Sequence, residues 1–342
     1  MTTVGEIVAD VRERGDEALS RWALHFDGQE PALASPGADD GLPTEALLAL
    51  ADTVRRWHRA QLPRDVNLET VPGVVLERRW VPISSVGIYV PRRLLSTLVM
   101  CAVPAQVAGV DRIVVMTPPD GAPLVAAAAN LLGIEEVWAV GGPQAIAALA
   151  YGTDKIPKVD KIVGPGNSYV NEAKLAVARD VAIDLPAGPS EVVVLLGKGA
   201  DRTVADLEVA AQQEHGPDSV CRTVDGTGDL EAALAEIEAI APEHLLLLGD
   251  DAEELAPRVR NAGAVFVGGY SSVAAGDYAT GGNHVLPTGG WARVTGGIGI
   301  ETFMKPITIQ RVSSRGLAEL RPTVEALAAA ESMPAHARAV RR

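Results

Sequence analysis

VGIYVPRRLLSTLVMCAVPAQVAGVDRIVVMT, residues 86–117, decides the fold. Its two ends, 86–90 and 112–117, are short apolar runs rich in β-branched residues, the length and composition of buried strands. The segment between them, 97–108, has helix length. Strand, helix and strand at this spacing predict a βαβ unit and so a parallel sheet. The alternation continues outward. Strands are expected at 136–140, 161–163 and 192–196, with helices at 122–132, 143–150 and 167–179. A second series follows, with helices at 201–214 and 230–240, a strand at 244–248, a helix at 252–261 and a strand at 264–267. Upstream, 4–26 and 43–61 read as helices separated by the turn-rich PALASPGADDG (31–41). Downstream, a strand at 307–312 and an Ala-rich helix ending near Glu331 lead into ESMPAHARAVRR, too polar for a core. The pattern predicts an α/β protein with two Rossmann-like parallel-sheet lobes and a C-terminal helical arm. In such sheets ligands bind outside the carboxyl ends of the strands.

Composition narrows the function. The 342 residues suffice for about two domains. A net charge of −14 argues against a nucleic-acid partner, which needs a basic face. No run of 18 apolar residues occurs, so no membrane span is expected. The N-terminus carries early acids and lacks the apolar core of a signal peptide. Cys101 and Cys221 stand alone, which offers neither a disulfide framework nor a thiolate metal site. A cytoplasmic protein is expected.

Four of the six histidines sit beside acids or amides: Gln212 with His215, Glu243-His244, Asp277 with His284, and Glu331 with His336. Imidazole and carboxylate bind divalent metals and move protons near neutral pH. Gln212 and His215 share a helix face just before Gly216-Pro217 ends the helix, but a His at a helix C-terminus also suits the helix dipole. Glu243-His244 opens a strand, where neighbours point to opposite faces yet can both reach a pocket from its rim. The loop GDYATGGNH (276–284) is dense in glycine and carries Asp277 and His284, which suits a ligand-approaching loop or a solvated one. Glu331 and His336 taken alone read as surface tail. His25 and His58, beside Trp22 and Trp57, read as structural.

Three loops suit a nucleotide or an anion: 141–144 and 164–167, each between a strand and a helix, and 186–191 before a strand. Neither a GxGxxG nor a GxxxxGK[ST] fingerprint occurs at them.

Taken in order, these segments resemble the histidinol dehydrogenase family. The matching strings are VGIYVP (86–91), GGPQAIAALAYGT (141–153), VDKIVGPGN (159–167), DLPAGPSEV (184–192), QQEHGPDS (212–219), APEHL (241–245), AGAVFVG (262–268), GDYATGGNHVLPT (276–288) and VEALAAAE (324–331), with His336 beyond. The resemblance implies oxidation of L-histidinol to L-histidine through the aldehyde, with two NAD, a zinc ion and an intertwined homodimer. It implies Gln212, His215 and Asp277 as zinc ligands from one protomer and His336 as the fourth, reaching in from the partner's arm. His244 would be the general base and Glu243 the activator of water. Ser190, His284 and Glu331 would contact substrate, in a site shared with the metal ligands and His244. Tyr89, Gln144 and Asn167 would contact NAD.

The implied division is a metal and substrate lobe (1–86 and 188–305), an NAD lobe (87–187) and an arm (306–342) exchanged between protomers. Two features depart from the family pattern. Arg92-Arg93 follow the YVP string where glycines are expected, and the interval from His215 to Glu243 is short. An enzyme acting on another amino alcohol or polar alcohol, a non-catalytic zinc-binding homologue and a zinc hydrolase stay open as alternatives.

Overall fold

The computed structural model describes residues 2–37, 41–185 and 188–341. The chain begins with α1 (Val4–Arg14), α2 (Asp16–Phe26), the short β1 (Ala32–Leu33) and α3 (Thr44–Ala60), then a hairpin of β2 (Val66–Val71) and β3 (Val74–Pro82). Next come β4 (Ser85–Tyr89), α4 (Leu95–Ala108), β5 (Arg112–Thr117), α5 (Ala122–Leu131), β6 (Val137–Ala139), α6 (Gly142–Tyr151), β7 (Lys161–Val163), α7 (Ser168–Val177) and β8 (Ala182–Ile183). A second alternation runs through β9 (Glu191–Leu196), α8 (Arg202–Gln213), β10 (Val220–Asp225), α9 (Leu230–Ile240), β11 (His244–Leu248), α10 (Ala252–Leu255), β12 (Ala264–Val267) and α11 (Val273–Tyr278). The chain ends with β13 (Met304–Val312), α12 (Ser314–Ala330) and α13 (Pro334–Ala339). No helix among the described residues is long and apolar enough to cross a membrane.

Two units form. The first comprises Met1–Gln61 and Ile83–Phe303, the second Leu62–Pro82 and Met304–Arg342. In the first unit one sheet has the order β1-β6-β5-β4-β7-β8, parallel throughout except for the antiparallel edge strand β1. The strand order reverses at β4, so the carboxyl ends of β4 and β7 flank a switch point, where loops diverge and leave a crevice. The expected βαβ unit of 86–117 is β4, α4 and β5. α4 is buried from Leu95 through Ala105 except at Ser96, which is why its sequence shows no polar side. Gly87 lets α6 approach the sheet, since a Cβ there would lie 2.7 Å from both Leu149 methyls.

The N-terminal helices pack on this first sheet. Val4, Val8 and Val11 of α1 and Leu19 of α2 share one core with Ile146, Leu149, Val170 and Ala173. The division that grouped 1–86 with 188–305 therefore differs from the structure: 1–61 joins the β4-to-β8 layer, and 62–82 joins the second unit. The single helix expected over 4–26 is two, broken at Gly15 with φ 52. α1 opens on a capping box, with Glu6 N–H donating to Thr3 Oγ1 at 3.2 Å and Thr3 N–H to Glu6 Oε2 at 2.7 Å.

The other sheet of the first unit is wholly parallel, in the order β10-β9-β11-β12. Its central strands β9 and β11 are covered on both faces and read as continuous apolar runs. β10 is a strand the sequence pattern did not predict. Its burial is poor at most positions, as befits an edge. The helix expected over 252–261 stops at Leu255 and gives way to a 3-10 turn, Ala256–Arg258, at Pro257.

The second unit is a three-stranded antiparallel sheet, β13-β3-β2, followed by α12 and α13. The C-terminal portion is thus helical only after a strand that pairs with β3 along its whole length.

Candidate active site

A cavity of about 790 Å³ lies in the first unit. One wall comes from the carboxyl ends of the first sheet: Pro91 and Leu94 after β4, and residues 164–168 after β7. The other comes from the amino ends of the second sheet: residues 188–190 before β9, 217–219 before β10, and Glu243 and His244 at the start of β11. The cavity thus meets the carboxyl ends of the first sheet, where ligands were expected, and the amino ends of the second. His215, Asp277, Tyr278, His284 and Thr288 complete the lining used below.

His244 is the best-defined group. It is the first residue of β11, paired with Val192 of β9 and Ala264 of β12, and is 4% exposed. Its Nδ1 lies 2.9 Å from the carbonyl oxygen of Glu191, so Nδ1 carries the proton and donates it. Nε2 is then the bare nitrogen. It is buried without a hydrogen-bond partner, 3.8 Å from Asp277 Oδ1. Burial, with His215 and His284 nearby, lowers the imidazole to about 4. At neutral pH this is an uncharged base with its lone pair free.

Glu243, 6% exposed, meets β9 from the same end. Its Oε2 accepts from Glu191 N–H at 2.8 Å, and its own N–H donates to Glu191 Oε2 at 3.3 Å. Desolvation, reinforced by the charges of Glu191 and Asp277, pushes its carboxyl up to about 8. Glu243 and His244 are successive residues, yet both line the cavity, because they stand at the strand's entry and the cavity caps that end.

His284 Nδ1 donates to the Asp277 carbonyl oxygen at 3.1 Å, and its Nε2 lies 3.5 Å from Thr97 Oγ1 of α4. Burial lowers it to about 4. Asp277, at the end of α11, is 7% exposed and is raised to about 6, chiefly by desolvation.

The donor set expected for zinc is divided between the units. In the first, Gln212 is 2% exposed at the end of α8 with a buried Nε2 lacking a partner, His215 lines the cavity one turn on, and Asp277 is a desolvated carboxyl. A cation would compensate the buried carboxylate, and the Gln212 amide oxygen is a further neutral donor for it. One amide, one imidazole and one carboxylate suit a borderline divalent ion. They need a further donor, since among the described residues no group of three or more His, Cys, Asp or Glu side chains is placed to hold a metal. His336, in α13, and Glu331, capping α12, lie exposed in the second unit, and the cavity lining comes from the first unit alone.

Of the remaining expected contacts, Ser190 and Asn167 line the cavity. Asn167 also caps α7, its Oδ1 accepting from Val170 N–H at 3.0 Å. Tyr89 and Gln144 are buried outside the lining. Tyr89 Oη accepts from Gly142 N–H at 3.2 Å, and Gln144 Nε2 donates to Asp27 Oδ2 at 3.3 Å. Pro186 and Ala187 of the 186–191 loop lie outside the described residues. Arg93 takes φ 56, a conformation that favours glycine, and exposed Arg92 pairs with Asp120 at 3.2 Å.

Several residues here had no signal in the sequence. Asp27 accepts from Gly141 N–H at 3.0 Å, across 114 residues of chain. Lys174 and Asp184 form a fully buried ion pair at the cavity wall. Thr288 Oγ1 accepts from Gly188 N–H at 2.6 Å. None of these pairs falls at a helix or strand spacing, so no local pattern marks them.

A Rossmann-like sheet whose switch point opens onto buried proton-transfer groups defines an α/β enzyme. Comparison with known proteins makes the class specific. The histidinol dehydrogenase family model matches residues 1–228 and 223–342. Histidinol dehydrogenase of Methanosarcina barkeri is 41% identical over 395 aligned residues, covering 99% of this chain and 90% of that relative. The enzyme of that name from Escherichia coli K12 is 38% identical, with 99% and 90% covered. The crystal structure of histidinol dehydrogenase from Elizabethkingia anophelis superposes with a TM-score of 0.91 at 34% identity, covering 98% of this chain and 90% of that one. An acetylating aldehyde dehydrogenase from Geobacillus thermoglucosidasius shares the fold alone, at a TM-score of 0.52 and 12% identity.

The chain belongs to the histidinol dehydrogenase family and is an oxidoreductase of that type. It is somewhat shorter than these relatives, and its two matched segments meet at 223–228, within the short interval from His215 to Glu243.

Proposed function

We propose that this enzyme oxidises L-histidinol to L-histidine through the aldehyde, using two NAD, and that it does so as a cytoplasmic, zinc-holding homodimer with shared active sites. The observation that carries the chemistry is His244, whose Nδ1–H is held by the Glu191 carbonyl while Nε2 stays bare and buried at the cavity. That tautomer fits a base that takes the hydroxyl proton of an alcohol. NAD would supply the hydride acceptor and zinc an orienting Lewis acid. Gln212, His215 and Asp277 would hold the metal, joined by the partner subunit's His336.

Proton removal by His244 Nε2 would leave the alcohol oxygen electron-rich and so favour hydride loss from the carbon bearing it, for which bound NAD would supply the acceptor. Burial favours the neutral form of Glu243, and a bound cation would favour its carboxylate. Its carboxylate can then orient and deprotonate the water that hydrates the aldehyde, setting up the second hydride loss. Asn167 and the 164–168 loop face the same cavity and suit the cofactor's polar groups. Tyr89 and Gln144 would reach the cofactor only after giving up contacts they now make. Ser190, His284 and Glu331 suit the substrate's amine and imidazole.

Two unpaired cysteines, one of them buried, favour a reducing compartment. Purified, zinc-loaded protein supplied with L-histidinol and NAD is expected to yield two NADH for each L-histidine. Stoichiometric zinc with no turnover of L-histidinol would sink this reading in favour of another polar alcohol.

A further inference from the structure

The Glu191 side chain has none of the roles proposed above, yet Glu191 touches both Glu243 and His244. Its backbone N–H donates to Glu243 Oε2 at 2.8 Å, and its carbonyl receives His244 Nδ1 at 2.9 Å. Its carboxylate makes two further contacts. Oε2 accepts from Glu243 N–H at 3.3 Å, and Oε1 accepts from Gly289 N–H at 2.9 Å. One residue at the mouth of β9 thus ties down the entry of β11 and the loop after Thr288, a cavity-lining residue.

Sheet pairing alone does not account for this. Parallel β9–β11 pairing begins at Val192 and His244, one residue inside Glu191 and Glu243. Beyond that register the ladder ends, and side-chain bonds take over. A carboxylate accepting two backbone N–H groups makes charge-assisted bonds, stronger than neutral ones. Gly188 N–H donating to Thr288 Oγ1 at 2.6 Å fastens the same two segments a second time.

We propose that Glu191 is a positioning residue whose carboxylate fixes Glu243, His244 and the 288–289 loop in one frame, so that the bare imidazole nitrogen and the Glu243 carboxyl face the same bound substrate. The proposal rests on the reading of His244 and Glu243 given above.

Glu191→Gln keeps the side chain's shape but leaves one acceptor where two are needed, and Glu191→Met leaves none. Both are measured in the zinc-loaded dimer. Glu191→Gln is expected to lower kcat about 10- to 100-fold, on alcohol and aldehyde alike, and Glu191→Met further. KM for NAD is expected to stay near wild type, and zinc content per chain is expected to stay there too, which mere loss of folded protein would not allow.

Amide hydrogen exchange reads the contact without activity. Exchange at whichever of Glu243 and Gly289 loses its acceptor is expected to quicken about tenfold or more in Glu191→Gln, and at both in Glu191→Met, while 245–247 stay protected. Unchanged exchange at both amides, or wild-type kcat in Glu191→Gln, overturns the proposal. A wild-type enzyme that ignores L-histidinol instead overturns the functional reading, and exchange then decides the role of Glu191 by itself. Should Glu191→Met fail to fold, Glu191→Gln carries the test.

Discussion

Lys174→Met is expected to be among the most damaging single changes in the first unit, though Lys174 touches no acid–base residue. Lys174 Nζ pairs with Asp184 Oδ1, with side chains 1% and 2% exposed. The same ammonium donates to Gly164 O at 2.9 Å, and Asp184 Oδ2 accepts from Gly164 N–H at 2.7 Å. The pair therefore clamps both polar groups of the residue that opens the 164–168 cavity wall. Gly164 itself cannot be anything else. Its φ is +105, and a Cβ would lie 2.3 Å from the Tyr89 carbonyl oxygen.

Removing the ammonium strands a carboxylate in the core, which costs about 3–5 kcal/mol for a buried pair. That is a large share of the roughly 5–15 kcal/mol that holds a typical domain together. Lys174→Met combined with Asp184→Asn buries no charge and keeps an acceptor for Gly164 N–H, so its loss should shrink to about 1–2 kcal/mol. Urea unfolding of the three proteins gives the comparison through their midpoints. Lys174→Met as stable as wild type, or a double variant no better than the single one, would refute the reasoning.

His244→Ala is expected to cut turnover about 10²- to 10⁴-fold while bound zinc stays at wild-type level, checked by steady-state rates and elemental analysis. His336→Ala should instead lower zinc content, and unchanged metal and rate would exclude the shared site. Glu243 gives a stability signature in metal-free protein. Its carboxyl stands at about 8 folded against 4.5 unfolded, so its contribution is complete below 4.5 and is lost as pH rises through 8. His244, lowered to about 4 from 6.5, contributes above 6.5 and loses that contribution as pH falls toward 4, so the Glu243 effect stands clearest from 6.5 to 8. Glu243→Gln should flatten the wild-type decline there by up to about 1.4 kcal/mol per pH unit, read from denaturation midpoints across that range.

What the sequence disclosed follows its local rules. The β4, α4 and β5 unit and the apolar β9 and β11 are written in periodicity, whereas the break at Gly15 between α1 and α2 interrupts no apolar pattern and was not read. β10 was hidden because an edge strand carries Arg222 and Asp225 without cost, so its pattern is not apolar. β2 and β3 were hidden likewise, exposed or half-buried along most of their length. In the site, His244, Glu243, His215 and Asp277 were legible as chemistry-bearing residues, but that they meet at the amino ends of a sheet was not. Placement came from which strand ends face the crevice, a property of topology. Glu191, Lys174 and Asp184 were silent for a related reason. Their meaning lies in partners 52 residues away for Glu191 and Glu243, and in an ion pair that only the folded core assembles.

The most direct test of the acid–base account is a crystal structure of the zinc-loaded protein with L-histidinol bound. The account predicts the substrate hydroxyl within about 2.6–3.2 Å of His244 Nε2, with Nδ1 still on the Glu191 carbonyl. A hydroxyl placed away from Nε2, or a ring turned so that Nε2 leaves the cavity, would contradict it.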